Sequence, residues 1–185
     1  MKALASEFKT QVTILGGLVV LMWVLEIVDV LVFRQGLNIY GIIPREIIGL
    51  RGILFAPFLH GGFAHLISNT IPFLILGWFV MLPGTSKFFI VTPIIMLVSG
   101  IGVWLFGSSG VHIGASGVVF GYLGFLLARG FFERNFPSIL LSLVVGSLYG
   151  GLIWGVLPTQ SGVSWEGHLF GFVGGVLAAK LLAGK

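Results

Sequence analysis

A serine held between glycines and a distant histidine are the residues of this chain whose types and positions best fit chemistry. Ser116 lies in the run Gly114-Ala115-Ser116-Gly117, where an apolar segment begins. His168 lies in Glu166-Gly167-His168-Leu169-Phe170-Gly171, at the start of another apolar segment. A serine hydroxyl is a poor nucleophile until a base removes its proton, and a neutral imidazole can act as that base. The pair predicts a nucleophile and a base, provided that both segments start on the same side of a membrane.

The elements that must position these residues are membrane helices. Of the 185 residues, 57% are apolar and 9% are charged, whereas a soluble domain carries about 25% charged residues. The mean hydropathy is +1.11. We expect one polytopic membrane domain over residues 1–185, embedded in the lipid bilayer. Its scattered basic residues form no nucleic-acid patch, and the lack of cysteine excludes disulfides, thiolate metal sites and a cysteine nucleophile.

Six apolar stretches approach the length of about 20 residues that a helix needs to cross a bilayer core. They lie at 11–33, 64–82, 88–107, 115–132, 137–157 and 166–183. We therefore expect an all-α bundle of six transmembrane helices. The long connection at 34–63 is expected to be a structured loop lying partly in the membrane interface, with its backbone buried by protein.

The distribution of lysine and arginine predicts that both termini are cytoplasmic. The inside then holds Lys2, Lys9, Lys87, Arg129, Arg134, Lys180 and Lys185, and the outside holds Arg34, Arg45 and Arg51. In this orientation segments two, four and six begin at the outer face. Their first turns carry His65 and Asn69, then Ser116, then His168. This topology rests on lysine and arginine alone, so its agreement with the polar residues favours a single site.

Glycines mark the helix faces that are expected to pack closely. Gly117, Gly121 and Gly124 share one stripe of segment four, while Gly171 and Gly175 share one of segment six. Small residues at this spacing let membrane helices approach backbone to backbone. If the two stripes face each other, the serine and the histidine above them come close together.

Acyl transfer also needs hydrogen-bond donors for the developing oxyanion. His65 and Asn69 lie on one face of segment two and offer an imidazole and an amide donor. The backbone N–H of Ser116 is free at a helix start, and Gly114 permits the unusual turn before it. The alternatives are that the serine is a helix N-cap, the histidine caps its own helix and the asparagine makes an interhelical hydrogen bond.

The remaining titratable residues receive other roles. We expect His60 to brace the long loop and His112 to lie at the membrane interface. Glu166 is expected to point away from the histidine of its own segment, which favours a dyad over a triad. Glu26 and Asp29 share a face of segment one, where they could pair with an arginine of the loop or form a proton relay.

The motifs resemble the rhomboid family of intramembrane serine proteases over about residues 50 to 180. The matching residues are Arg51, His60-Gly61-Gly62-Phe63-Ala64-His65-Leu66-Ile67-Ser68-Asn69, Gly114-Ala115-Ser116-Gly117, His168-Leu169-Phe170-Gly171 and Gly175. The resemblance implies Ser116 as nucleophile, His168 as base, and an oxyanion site from His65, Asn69 and the Ser116 amide. It also implies six helices around a cavity that opens outward. The implied reaction is cleavage of single-span membrane proteins near the outer membrane boundary, without metal or cofactor.

Two positions depart from the family pattern. Many members carry Trp-Arg in the first loop, where this chain has Leu50-Arg51. Many have a tyrosine one turn after the serine, stacked on the catalytic histidine, where this chain has Phe120. Phenylalanine keeps the aromatic face and loses the hydroxyl, and both departures leave the dyad intact.

Two other readings remain open at this stage. Four histidines could indicate a metal site or cation transport, although the chain lacks cysteine and a His-Glu-x-x-His motif. The chain could also be a catalytically idle rhomboid-like binder of membrane helices. A short chain without targeting extensions fits a bacterial inner membrane.

Segment five is expected to form a gate for the substrate, and the loop at 158–164 is expected to form a cap over the cavity.

Overall fold

The fold of this computed structural model is all-helical over the residues that it describes, 2–158 and 162–184. Seven α-helices follow in order: α1 (Lys2–Val28), α2 (Gly52–Phe55), α3 (Phe63–Met81), α4 (Thr85–Phe106), α5 (Ser116–Glu133), α6 (Phe136–Tyr149) and α7 (Trp165–Leu182). Short π or 3-10 turns extend or link them at Asp29–Phe33, Gly36–Tyr40, Ile47–Arg51, Ala56–Phe58 and Gly150–Val156. The middle of the expected cap, 159–161, lies outside the described residues.

In the described part of the chain, four helical segments are long and apolar enough to cross a membrane: Leu4–Phe33, Phe63–Met81, Thr85–Phe106 and Phe136–Val156. This is the composition of a multi-pass membrane protein. The two further long helices, α5 and α7, are richer in glycine and polar residues. They pack more extensively on each other than any other pair, with α4 and α6 against them. Their lower hydropathy is therefore consistent with a place inside the bundle.

Two segments differ from their expected bounds. Helix α1 begins at Lys2, well before the apolar stretch at 11–33, and its residues 4–10 continue the helix with exposed side chains. The α-helix of segment five ends at Tyr149 and narrows into the 3-10 turn Gly150–Val156. In that turn a Cβ on Gly155 would lie 2.6 Å from the Phe120 ring, so only glycine permits so close an approach to α5.

The long first loop is folded into short helical turns and anchored to the loop before α5. Ile42 and His112 exchange backbone hydrogen bonds of 2.9 and 2.8 Å. The Arg45 N–H donates to the carbonyl of Trp104, and its guanidinium donates to the carbonyl of Gly107, both at 2.9 Å. These bonds satisfy backbone groups that could not face lipid unpaired.

Glu26, near the end of α1, and Asp29, the first residue of the π turn that follows it, are not paired with an arginine among the described residues, contrary to that expectation. The side-chain amide of Gln35 donates to Glu26 Oε1 at 3.3 Å, and the Leu37 N–H donates to Asp29 Oδ1 at 2.8 Å. Both carboxylates are buried. The π turn that follows α1 turns the chain back so that polar groups of the loop, rather than its arginines, reach them.

Helices α5 and α7 touch backbone to backbone along the two glycine stripes. A Cβ on Gly171 would overlap the carbonyl oxygen of Gly117. One turn further along, a Cβ on Gly175 would overlap the carbonyl oxygen of Gly121. The stripes therefore face each other, and the contact leaves no room for even the smallest side chain.

This contact predicts that Gly175→Ala destabilises the protein by about 1–3 kcal/mol, the usual cost of overpacking a filled core. Gly17→Ala in α1 is the matched control, because a Cβ there would meet nothing within 4 Å. Equilibrium unfolding in mixed detergent micelles measures both variants. Equal stability of the two would mean that the helices separate at little cost and that the glycines are not what holds them together.

Candidate active site

A cavity of about 1060 Å³ lies among the first turns of α3, α5 and α7 and the end of segment five. Its walls include five of the residues singled out from the sequence: His65, Asn69, Ser116, Phe120 and His168. The fold thus brings polar residues from three helices to one place. Four further candidates are not among its walls: Arg51, His60, Gly114 and Gly117.

Ser116 and His168 are in direct contact in this cavity. The distance between Ser116 Oγ and His168 Nε2 is 2.8 Å. Ser116 is the first residue of α5, and His168 lies in the first turn of α7. The glycine contact below them brings α5 and α7 close together. The short serine side chain can therefore reach the longer histidine side chain on the other helix.

The other ring nitrogen of His168 determines which atom carries the proton. His168 Nδ1 lies 2.8 Å from the carbonyl oxygen of Gly155. A carbonyl can only accept, so Nδ1 is the donor and Nε2 of the neutral ring is left to accept from the serine hydroxyl. The Phe120 ring stacks on the imidazole with centroids 4.0 Å apart and planes 4° apart. The ring is therefore held on its edge and on its face.

His65 lines the same cavity as Ser116 and carries a ring N–H. The backbone N–H of Gly61 donates to His65 Nδ1 at 3.3 Å, so the proton of the neutral ring lies on Nε2. That nitrogen packs against Gly114, where a Cβ would come within 2.7 Å of it. Gly114 also has φ +114°, a conformation that side chains with a Cβ rarely adopt. Glycine is thus required here for two reasons: its backbone can adopt the turn, and its lack of a side chain leaves space for the His65 ring.

Two further donors complete this side of the cavity. One N–H of the Asn69 amide donates to the carbonyl of His65 at 2.9 Å, which leaves the second N–H for another acceptor. As the first residue of α5, Ser116 has a backbone N–H without a partner in the helix, at the positive end of the helix dipole. Three N–H groups, from His65, Asn69 and the Ser116 backbone, thus belong to residues that line the cavity.

His60 supports the turn that leads to the serine. It is completely buried, and burial together with the neighbouring His65 lowers the pKa of His60 to about 4. The ring is therefore neutral at ordinary pH, and its Nε2 accepts the backbone N–H of Ala115 at 3.5 Å. The structure places His60 behind the serine, as a brace.

Arg51 contacts other residues of the first loop. Its guanidinium donates to the carbonyl of Ile39 at 3.0 Å and lies 4.5 Å above the centre of the Tyr40 ring. The neighbouring Leu50 is 39% exposed. The arginine therefore holds its own loop together, and the leucine in place of a tryptophan makes no contribution to the cavity walls.

Two titratable residues near the cavity have partners that the sequence did not indicate. Glu166 makes no hydrogen bond to His168 among the described residues; its Oε1 accepts the backbone N–H of Ser108 at 2.8 Å. His112 is not a simple interfacial residue: it is 8% exposed, and its ring nitrogens contact Ser164 Oγ and the Ser108 carbonyl. A polar network therefore surrounds the starts of α5 and α7.

Sequence reasoning missed two positions that shape the site. Gly155 supplies the carbonyl for the His168 ring, and its only sequence signal is its place after the pair Gly150-Gly151 at the end of an apolar segment. Ser99 lies in the middle of α4, where its hydroxyl donates to the carbonyl of Gly167 at 3.0 Å. A buried serine inside an apolar helix could have drawn attention to it.

Metal ligands are not clustered in the described part of the chain. No three His, Asp or Glu side chains of residues 2–158 and 162–184 are grouped so that they could hold an ion. The histidines of the cavity instead make hydrogen bonds to backbone carbonyls, backbone N–H groups and hydroxyls.

Comparison with known proteins agrees with the motifs. The family profile described as Rhomboid domain matches residues 49–185. An uncharacterized protein of Mycobacterium tuberculosis is 45% identical over 174 residues, which cover 89% of this chain and 72% of that protein. One of Mycobacterium leprae is 42% identical, covering 88% and 68%. The RHOMBOID-like protein 4 of Arabidopsis thaliana is 33% identical, covering 70% of this chain and 33% of that protein. This chain therefore belongs to the rhomboid family.

Proposed function

We propose that this protein is an intramembrane serine endopeptidase that cleaves single-span transmembrane proteins near the outer boundary of the bilayer. Ser116 is the nucleophile and His168 the general base in this proposal. The observation that carries it is the 2.8 Å contact between Ser116 Oγ and His168 Nε2, with His168 Nδ1 committed to a carbonyl. Membership of the rhomboid family supports the same reaction class.

The acylation step uses each contact of the site. Ser116 Oγ attacks the carbonyl carbon of the scissile peptide while its proton passes to His168 Nε2. The Gly155 carbonyl accepts from Nδ1 throughout and favours the imidazolium that forms. When the tetrahedral intermediate collapses, the C–N bond breaks and the leaving amine takes the proton from Nε2.

The oxyanion of that intermediate is assigned to the donors opposite the histidine. His65 Nε2–H, the second N–H of the Asn69 amide and the Ser116 N–H are the three candidates. Water then attacks the acyl-enzyme ester and gives its proton to His168 Nε2. The ester bond to Ser116 breaks, Ser116 Oγ takes that proton back, and the new carboxyl end leaves. The proposed cycle moves protons between these side chains and needs no metal or cofactor.

The proposed topology has six crossings with both termini in the cytoplasm. Helices α5 and α7 are counted as crossings although their hydropathy is lower, because α4 and α6 pack against them. The distribution of basic residues, seven inside against three outside, supports the orientation. A bacterial inner membrane is the proposed location, in line with the mycobacterial relatives.

Substrates are proposed to enter sideways from the lipid, past segment five. Its inner end is tied to α5, since the Ser142 hydroxyl donates to the carbonyl of Leu126 at 2.6 Å. Its outer end presents Trp154, 70% exposed, on the wall of the cavity. Segment five is proposed to swing outward about its inner end, and Gly162 and Val163, which line the cavity, are proposed to belong to a cap over it. The glycine-lined surroundings of Ser116 favour a small residue at the cleaved position.

Removing either member of the dyad is expected to abolish cleavage. Ser116→Ala, His168→Ala and the double variant should all lose turnover of a model single-span substrate, since members of one catalytic unit fail together. Purified protein, product sequencing and labelling by a fluorophosphonate measure this, with Ser6→Ala as the control. Unlabelled wild-type protein that binds the substrate without cleaving it would instead indicate the idle binder.

Removing an oxyanion donor is expected to slow the chemical step. Asn69→Ala should lower kcat by about 10²–10³, the usual loss for one such donor. His65→Ala should act in the same direction, because its Nε2–H is aimed at the same space. Steady-state kinetics are read together with thermal unfolding. An unchanged kcat in a normally folded Asn69→Ala protein would leave the asparagine with its structural hydrogen bond alone.

Restraining segment five is expected to block substrate entry. The chain has no cysteine, so the pair Ala64→Cys and Leu152→Cys can be joined by a bismaleimide without background reaction. Both positions line the cavity, from α3 and from segment five. The joined protein should lose cleavage of a transmembrane substrate while it still reacts with a small fluorophosphonate. Equal cleavage before and after joining would place the entry route elsewhere.

A further inference from the structure

A second serine–histidine pair lies beside the first and takes no part in the proposed reaction. His112 lies four residues before Ser116, and Ser164 lies four residues before His168. Ser164 Oγ is 2.6 Å from His112 Nδ1. We call His112 and Ser164 the outer pair, and Ser116 and His168 the inner pair. Both pairs join the start of α5, with the loop before it, to the start of α7. In the outer pair the histidine is on the α5 side and the serine on the α7 side, the reverse of the inner pair.

His112 is a fixed point on the segment that leads to α5. Its backbone is bonded in both directions to Ile42 in the first loop, and its side chain is 8% exposed. Its Nε2 lies 2.9 Å from the Ser108 carbonyl, which can only accept. The neutral ring therefore carries its proton on Nε2, and Nδ1 accepts from the Ser164 hydroxyl.

Ser164 occupies the N-cap position of α7 without capping it. A serine at this position usually accepts a free N–H of its own helix, but the Ser164 side chain makes no such bond. Its carbonyl accepts the His168 N–H at 3.2 Å, so the first helical turn starts there. The hydroxyl is directed instead to His112, across the gap between the two segments.

Glu166 closes the network from the same end of α7. Its Oε1 accepts the Ser108 N–H at 2.8 Å, and the residue is 3% exposed. Ser108 thus bonds to α7 through its N–H and to His112 through its carbonyl. Three hydrogen bonds form a closed ring between the start of α7 and the segment before α5.

This ring of hydrogen bonds restrains α7 along its axis. Glycine stripes set how closely α5 and α7 approach, and the Ser99 hydroxyl ties the carbonyl of Gly167 to α4, but neither contact joins the start of α7 to the segment before α5. Ser116 and His168 meet only if α7 keeps its axial position, and a misplacement of about 1 Å at a reacting pair can cost about 10²-fold in rate. Directional hydrogen bonds one turn above the pair hold that position.

We propose that His112 is a positioning residue, which acts through Ser164 to set the axial position of α7 and hence the contact between His168 and Ser116. The inference rests on the proposed protease function. His112 touches no reacting atom in this account. Its contribution through His168 therefore appears in kcat, whereas a change in KM would report the place of His112 in the cavity wall.

The test compares variants of both partners in the full-length protein. Ser164→Ala and His112→Phe should each lower kcat by about 10- to 100-fold, with KM and melting temperature near wild-type values. The double variant should be no worse than either single one, because both remove the same bond. Ser164→Thr, which keeps the hydroxyl, and His112→Asn, which keeps a polar group towards Ser164, should recover most of the rate. Ser6→Ala is the control for the serine change.

Several results would overturn the proposal. One is an unchanged kcat in Ser164→Ala with active wild-type protein. Another is a decrease in kcat that is proportional to the decrease in melting temperature across all variants. Such a correlation would indicate that His112 and Ser164 only stabilise the fold. If His112→Phe fails to fold, the comparison of Ser164→Ala with Ser164→Thr decides alone. Wild-type protein that neither cleaves substrate nor reacts with a fluorophosphonate would overturn the proposed function instead, so the two failures are distinct.

Discussion

The backbone contact between α5 and α7 is the constraint on which the rest of this structure depends. At the facing positions Gly117 and Gly171, and Gly121 and Gly175, no Cβ separates the two helices, so their backbones touch there. In lipid there is little hydrophobic gain from bringing two apolar helices together, and close van der Waals contact takes its place. The same contact brings a short serine side chain within reach of a histidine on the neighbouring helix.

The site is built from neutral partners. The His168 ring is held by a backbone carbonyl and by the face of Phe120, and no carboxylate takes part. A buried charge is expensive at membrane depth, whereas a carbonyl accepts a proton donor at much lower cost. The phenylalanine in place of the family's tyrosine is consistent with this arrangement, because the stacking uses the ring and not the hydroxyl.

Irregular backbone surrounds the site and is held by pairing with other protein segments. The first loop exchanges backbone bonds with His112, and Arg45 reaches the carbonyls of Trp104 and Gly107 at the end of α4. Behind the serine, neutral His60 accepts from Ala115. These contacts give the turn at Gly114 a rigid frame, and the helix start that follows it, Ser116, lines the cavity.

Much of this protein could be predicted from its sequence. Hydropathy indicated an all-helical membrane protein, and the spacing of glycines indicated which helix faces meet. Positions of Ser116, His168, His65 and Asn69 at the starts of apolar segments were enough to place them at one end of the bundle. Such inferences succeed because a helix has a fixed period and lipid tolerates few polar residues, so each one marks a face or a depth.

Tertiary structure alone decided the contacts between segments that are distant in the chain. Gly155 reaches His168 only because segment five narrows into a 3-10 turn, and His112 meets Ser164 only because two loops cross. Glu26 and Asp29 are bonded to Gln35 and to the backbone of Leu37, where charge alone suggested an arginine. A hydrogen bond to a backbone group carries no signature in residue types, because every residue offers the same carbonyl and almost every one the same N–H.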